Sequence, residues 1–269
     1  MKDKRILYVS SEVIPYLPET EISSMSFEAP RMVNNNNGQI RIFMPRYGNI
    51  NERRHQLHEV IRLSGMNLVI NDMDMPLIIK VASIPKERMQ VYFIDNEEYF
   101  KRKATFTDEE GNFFKDNDER AIFFAKGVIE TVKKLNWSPD IIHVHGWLAS
   151  FLPLYLRKYY DNEPLFEKSK VVTSVYNQGF DTTLDDKIIE KIKFDGIDES
   201  EIIELQNPNY VNMMKVAVKN SDAVIIGSEI IPDELEAYLN KLEKPVLKYH
   251  NMDDFSQAYL DFYQTKVLV

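Results

Sequence analysis

Short apolar runs alternate along this chain with longer stretches whose apolar residues recur at a helical spacing. Residues 6–10 form the first run, β-branched and aromatic, as expected of a buried parallel strand. Residues 23–33 hold enough apolar positions for a short helix, which Pro30 is expected to end or kink, and Asn34 to Gly38 reads as a turn. A second strand at 40–44 stops at Pro45. Strand-like stretches at 60–63, 67–70, 77–82 and 90–94, separated by Ser64-Gly65, Asn71-Asp72 and Pro85-Lys86, predict a β-hairpin inserted around residues 57–95. Residues 117–135 predict a long amphipathic helix capped by Asn117 or Asp118, with Ile122, Phe123, Ala125, Val128, Ile129 and Val132 as its buried stripe.

The alternation continues downstream. Residues 140–145 predict a strand, 149–160 a helix, 170–175 a strand, 210–219 a helix and 223–226 a strand, with a polar, irregular stretch from 177 to 207. Two more helices, 232–242 and 253–263, are joined through Lys244-Pro245. Strands and helices in this order predict an α/β fold, a doubly wound parallel sheet with a β-hairpin insertion and a helical C-terminal tail. In the last helix Phe255, Tyr259 and Phe262 share a face; this face is expected to fold back on its own domain or to dock on a second copy, with the homodimer favoured.

Composition narrows the functional classes. With 269 residues the chain can bury a substantial core, and its 44% apolar and 28% charged residues are ordinary for a globular protein. A formal net charge of −9 and the lack of a basic patch argue against nucleic acid and against an anionic membrane as partners. No apolar run is long enough to span a bilayer, and the N-terminus has no signal-peptide core. Cysteine is absent, which excludes thiol catalysis and thiolate metal sites, so the expected location is the cytoplasm. The nine glycines include no adjacent pair and no Gly-x-Gly, so neither a dinucleotide fingerprint nor a P-loop is present.

A loop that cradles a diphosphate brings backbone N–H groups close to the anion, which favours glycine, and usually adds a lysine. The loop after the first strand reads Pro18-Glu19-Thr20-Glu21 instead. Its two carboxylates would face the phosphates, and like charges about 4 Å apart at an effective dielectric near 20 repel by roughly 4 kcal/mol. His143 and His145 stand two positions apart in one strand and are expected to point to opposite faces. His145, nearer the strand's C-terminal end, joins Trp147, Tyr176, Asn177 and Glu12 as a candidate ligand crevice. No catalytic residue, metal ligand set or cofactor is assigned by spacing.

Several segments, taken in order, carry a resemblance: Arg5 to Tyr16; Ile42-Phe43-Met44-Pro45-Arg46-Tyr47-Gly48; Val91 to Phe100; Asp116-Asn117-Asp118-Glu119-Arg120 with Phe123-Phe124; and Trp137 to His143. Across residues 5–232 the chain resembles the N-terminal half of bacterial glycogen and starch synthases, retaining glycosyltransferases of family 5 with the two-domain GT-B architecture. The resemblance implies a Rossmann-like domain over 1–232, a helical tail over 233–269 packed on it, and no second GT-B domain. It also implies a glucan or a sugar nucleotide as ligand. At the family's chemical positions the chain departs from the pattern. The donor loop Lys-Thr-Gly-Gly-Leu is replaced by Pro18-Glu19-Thr20-Glu21-Ile22, His-Asp-Trp stands as His145-Gly146-Trp147, and Thr-Ile-His-Asn as Ser174-Val175-Tyr176-Asn177. These departures predict a catalytically silent relative with a binding or regulatory role. The alternatives are a glucosyltransferase subunit completed by a separate chain, and a small-molecule binder or enzyme with new chemistry in the same crevice.

Overall fold

The computed structural model describes residues 1–269. Seven strands run parallel: β1 (Arg5–Ser10), β2 (Gln39–Pro45), β6 (Met89–Asp95), β7 (Ile141–His145), β8 (Lys170–Val175), β9 (Ala223–Ile226) and β10 (Val246–Leu247). β3 (His58–Glu59), β4 (Met66–Ile70) and β5 (Met73–Ile84) extend the sheet antiparallel, giving the order β10-β9-β8-β7-β1-β2-β6-β5-β3 with β4 paired to β5. The order reverses between β1 and β7, as a doubly wound sheet requires. The helices are α1 (Glu21–Asn35), α2 (Glu52–His55), α3 (Glu97–Phe100), α4 (Asn117–Lys134), α5 (Leu152–Lys158), α6 (Ile188–Phe194), α7 (Tyr210–Lys219), α8 (Asp233–Leu239) and α9 (Phe255–Phe262).

Strand side chains alternate between faces, and this sorts the helices. Tyr8 of β1 donates its hydroxyl to the Ala29 carbonyl of α1, while Thr173 of β8, with opposite parity to Ser174, pairs with Ser221 just after α7. One face is therefore covered by α1 and α9, which pack on each other, and the other by the contiguous set α4, α5 and α7. A single apolar core runs through both layers. No helix is long and apolar enough to cross a membrane.

Several expectations change. The insertion is larger than a hairpin: β4 and β5 turn at Asn71-Asp72, but β6 belongs to the parallel sheet, and residues 60–63 form a turn rather than a strand. α1 begins at Glu21 and runs through Pro30 to Asn35, because the proline is buried and forfeits a single backbone bond. Asn117 and Asp118 lie inside α4 and are buried, with Asp116 at the cap position. Residues 147–149 form a separate 3₁₀ turn before α5, and α6 stands in the stretch read as irregular. Residues 246–247 add an edge strand to the sheet, tied by the Val224 N–H donating to the Pro245 carbonyl at 3.0 Å.

The aromatic face of α9 is turned inward. Phe255, Tyr259, Phe262, Tyr263 and Val267 are all buried within the chain. This corrects the favoured homodimer: the face that would have held a second copy is occupied by the chain's own sheet and α1, so the apolar argument for a dimer disappears.

Candidate functional site

Ligands of doubly wound sheets bind beyond the C-terminal strand ends at the switch point, here between β1 and β7. α1 points its N-terminus at this place. A helix N-terminus offers unpaired N–H groups and a partial positive charge, which suits a phosphate. In this chain the N–H groups of Thr20, Ile22 and Ser23 are used internally. The Ser23 N–H donates to the Thr20 hydroxyl at 3.0 Å, and the Thr20 N–H donates to the Ser23 hydroxyl at 2.8 Å, a reciprocal capping box. The Ile22 N–H donates to the Gln178 side-chain carbonyl at 3.1 Å.

Carboxylates surround the same spot. The Thr20 hydroxyl donates to Glu12 at 2.7 Å, and burial raises the Glu12 carboxyl above its usual range while this bond partly offsets the rise. Ser228 donates its hydroxyl to Glu21 and accepts the Asn177 N–H at 2.9 Å, so it links α1 to the ends of β8 and β9. Glu19 and Glu21, with Met25 from α1 and Tyr249, His250 and Met252 from the tail, line a cavity of about 250 Å³. A diphosphate entering it would meet carboxylates, with the N–H groups of Thr20, Ile22 and Ser23 already engaged.

The crevice candidates are not brought together: Glu12 stands at the α1 N-terminus, His145 pairs with Tyr176, Trp147 lies apart, and Asn177 is exposed. His145 and Tyr176 are together and wholly buried, with His145 Nδ1 2.7 Å from the Tyr176 hydroxyl. They face the interior beneath α9 and do not line an open crevice. Their neighbours are His143, whose Nδ1 is 2.6 Å from the Tyr263 hydroxyl and whose Nε2 is 2.7 Å from Ser174 Oγ. The expectation of opposite faces for the two histidines fails: residues i and i+2 of a strand share a face, and the rings lie 3.9 Å apart. Burial lowers both, His145 to about 3 and His143 well below the usual value with His145 adding to the effect. Both rings are therefore neutral at neutral pH.

Trp147 lies elsewhere, although only Gly146 separates it from His145. Gly146 adopts φ 80°, turning the chain so that the indole packs against Phe106 (4.6 Å), Phe180 (5.1 Å) and Phe113 (5.5 Å). These four rings, with Thr107, Asp181 and Thr182, line a second cavity of about 450 Å³. Asn177 is exposed and touches the site through its backbone. Gln178, Ser228 and the three phenylalanines were missed by sequence reasoning. Gln178 and Ser228 act on partners 156 and 207 positions away, a relation that local patterning does not carry.

Gly146 stands where the resemblance places an aspartate. A Cβ there would lie 1.9 Å from Ser11 Oγ, in addition to the positive φ. Gly146→Asp is thus expected to lower stability by about 2 kcal/mol or more, and adding Ser11→Gly should recover the steric part alone. Chemical-denaturation midpoints check this; an unchanged midpoint for the single variant would show that the turn relaxes freely.

The comparisons with known proteins agree with the fold. A family model described as the starch synthase catalytic domain matches residues 5–244. The glycogen synthase of Chlorobium luteolum is 36% identical over 235 residues, covering 87% of this chain and 47% of that protein. The glycogen synthase of Chlorobium phaeobacteroides is 37% identical over 232 residues, covering 86% and 47%. The chain spans about half the length of the curated relatives it matches. Among solved structures, the catalytic domain of starch synthase IV from Arabidopsis thaliana, bound to ADP and acarbose, aligns with a TM-score of 0.74 at 15% identity, covering 93% of this chain and 52% of that one. At that identity the likeness speaks for the fold. With the family model matching residues 5–244, the chain belongs to the starch synthase catalytic domain family.

Proposed function

We propose that this chain is a saccharide-binding relative of the glycogen and starch synthases that does not itself transfer glucose. The observation that carries the reading is the self-capped N-terminus of α1, where Thr20 and Gln178 take the N–H groups of Ser23 and Ile22 and where Glu19 and Glu21 line the adjoining cavity. Electrostatic stabilisation of a departing nucleotide diphosphate needs the reverse arrangement. Binding is supported by the aromatic cavity. Its three partly exposed phenylalanines, Phe106, Phe113 and Phe180, offer apolar faces for a pyranose over the buried Trp147, and Thr107, Asp181 and Thr182 offer groups for the hydroxyls at the edge, the mixture typical of small-molecule sites.

Calorimetric titration with maltoheptaose and with ADP-glucose tests both halves of the proposal. Maltoheptaose is expected to bind, and Trp147→Ala to weaken it by about tenfold or more through loss of the ring on which the three phenylalanines rest. ADP-glucose is expected to give no saturable heat, and labelled glucose to stay out of a glucan primer. Saturable ADP-glucose binding abolished by changes at Thr20 or Glu21 would sink the reading.

A further inference from the structure

Arg120, in α4, is fully buried and has no carboxylate partner. Its Nε donates to the Tyr99 carbonyl at 2.8 Å and its Nη1 to Asn117 Oδ1 at 2.5 Å, while Nη2 has no acceptor. Asp116, the acid acting on it, is already held by both terminal nitrogens of Arg102. The guanidinium lies 5.7, 5.1 and 5.3 Å from the ring centroids of Tyr47, Phe100 and Phe114. Rings attract a cation through their faces but accept no ordinary hydrogen bond. An ionised group without water or counter-ion is costly to bury, and arginine cannot escape by losing its proton at neutral pH.

A second group has the same deficiency. The Tyr47 hydroxyl is fully buried and without a partner, and it stands on the ring whose centroid lies 5.7 Å from the Arg120 guanidinium. We propose that Arg120 and Tyr47 form a binding site for a small monovalent anion, chloride being the simplest, held between the guanidinium Nη2 and the phenolic hydroxyl. One fixed positive charge matches one negative charge. Both side chains are fully buried, so an ion held there would be cut off from bulk water. Glu12 acts on Tyr47 with the opposite sign, but its carboxyl accepts from the Thr20 hydroxyl and makes no hydrogen bond to Arg120 or Tyr47, so it does not fill the role. Phe106, on the irregular segment between α3 and α4, packs its ring on Tyr47 at 5.7 Å and on Trp147 at 4.6 Å.

Bromide provides a direct test. Crystals soaked in sodium bromide should show an anomalous peak within hydrogen-bonding distance of Arg120 Nη2 and Tyr47 Oη. In solution, melting at constant ionic strength, with chloride or bromide replacing gluconate, should rise saturably by roughly 3 to 5 °C at tenfold excess over the dissociation constant. Tyr47→Phe, which removes one donor and keeps the ring, should lose most of that rise; Arg120→Met serves as a second variant if it folds. An ordered water at the site with no anomalous signal, or melting that does not distinguish chloride from gluconate, would overturn the proposal.

Discussion

Truncation before Asp253 is expected to leave a chain that no longer folds cooperatively. The segment removed carries Phe255, Tyr259, Phe262, Tyr263 and Val267, all buried against α1 and the sheet. Each buried side chain of this size contributes about 1.5–3 kcal/mol, so together they amount to about 10 kcal/mol, comparable to the whole stability of a domain. The loss extends beyond apolar area. Tyr263 is 2.6 Å from His143 Nδ1 and 3.5 Å from the Tyr8 hydroxyl, so its removal leaves buried polar groups facing a void or water. Circular dichroism and thermal melting of the truncated chain check the expectation: a sharp transition within a few degrees of the full chain would show that the tail is an ornament. The milder variant Tyr263→Phe keeps the ring and removes the hydroxyl. It is expected to fold with a loss of about 1–3 kcal/mol, as when a buried imidazole loses its partner.

Acidification is expected to destabilise the protein through the same cluster. His143 and His145 are held neutral by burial, His145 down to about 3, whereas in the unfolded chain each titrates near 6.5. Above about 6.5 neither state is protonated and the contribution is complete. As pH falls from 6.5 toward 3 the unfolded state takes up protons that the folded state refuses, so stability falls with pH. Between pH 7 and 5 this amounts to about 2 kcal/mol for each histidine. Asp118, raised to about 6 chiefly by burial with Lys191 opposing, and Glu12 work in the other direction, because their folded forms bind protons more readily. The decisive quantity is therefore a difference. His145→Asn should lose about 2 kcal/mol less than the parent between pH 7 and 5 in urea titrations, whatever its starting stability. Parallel pH profiles for parent and variant would mean that His145 is solvated and free to protonate in the folded protein.

The α/β alternation was legible in the sequence because it is written in local periodicity. β9 and α7 appear at the residues expected, 223–226 and 210–219, and the core strands β1, β7 and β8 at the expected apolar runs. The departures from the family pattern at Pro18 to Ile22, Gly146 and Tyr176 were equally local, being a matter of which residue stands where. Whether those residues act together was decided by tertiary structure. Thr20 looked like part of a damaged loop, but the fold makes it a helix cap, through partners at Ser23, Glu12 and, by way of Ile22, Gln178. His145 and Trp147 looked like one site, and a single residue with positive φ sends them into different surroundings. The aromatic face of the last helix was visible as a stripe, yet its spacing is the same whether a second copy or the chain's own sheet covers it. Periodicity along one element reports which side is apolar; it carries no information about what lies opposite. That assignment came from chain topology, which returns residues 255–267 to α1 and β7 across more than a hundred residues of sequence, and no local propensity encodes such a return.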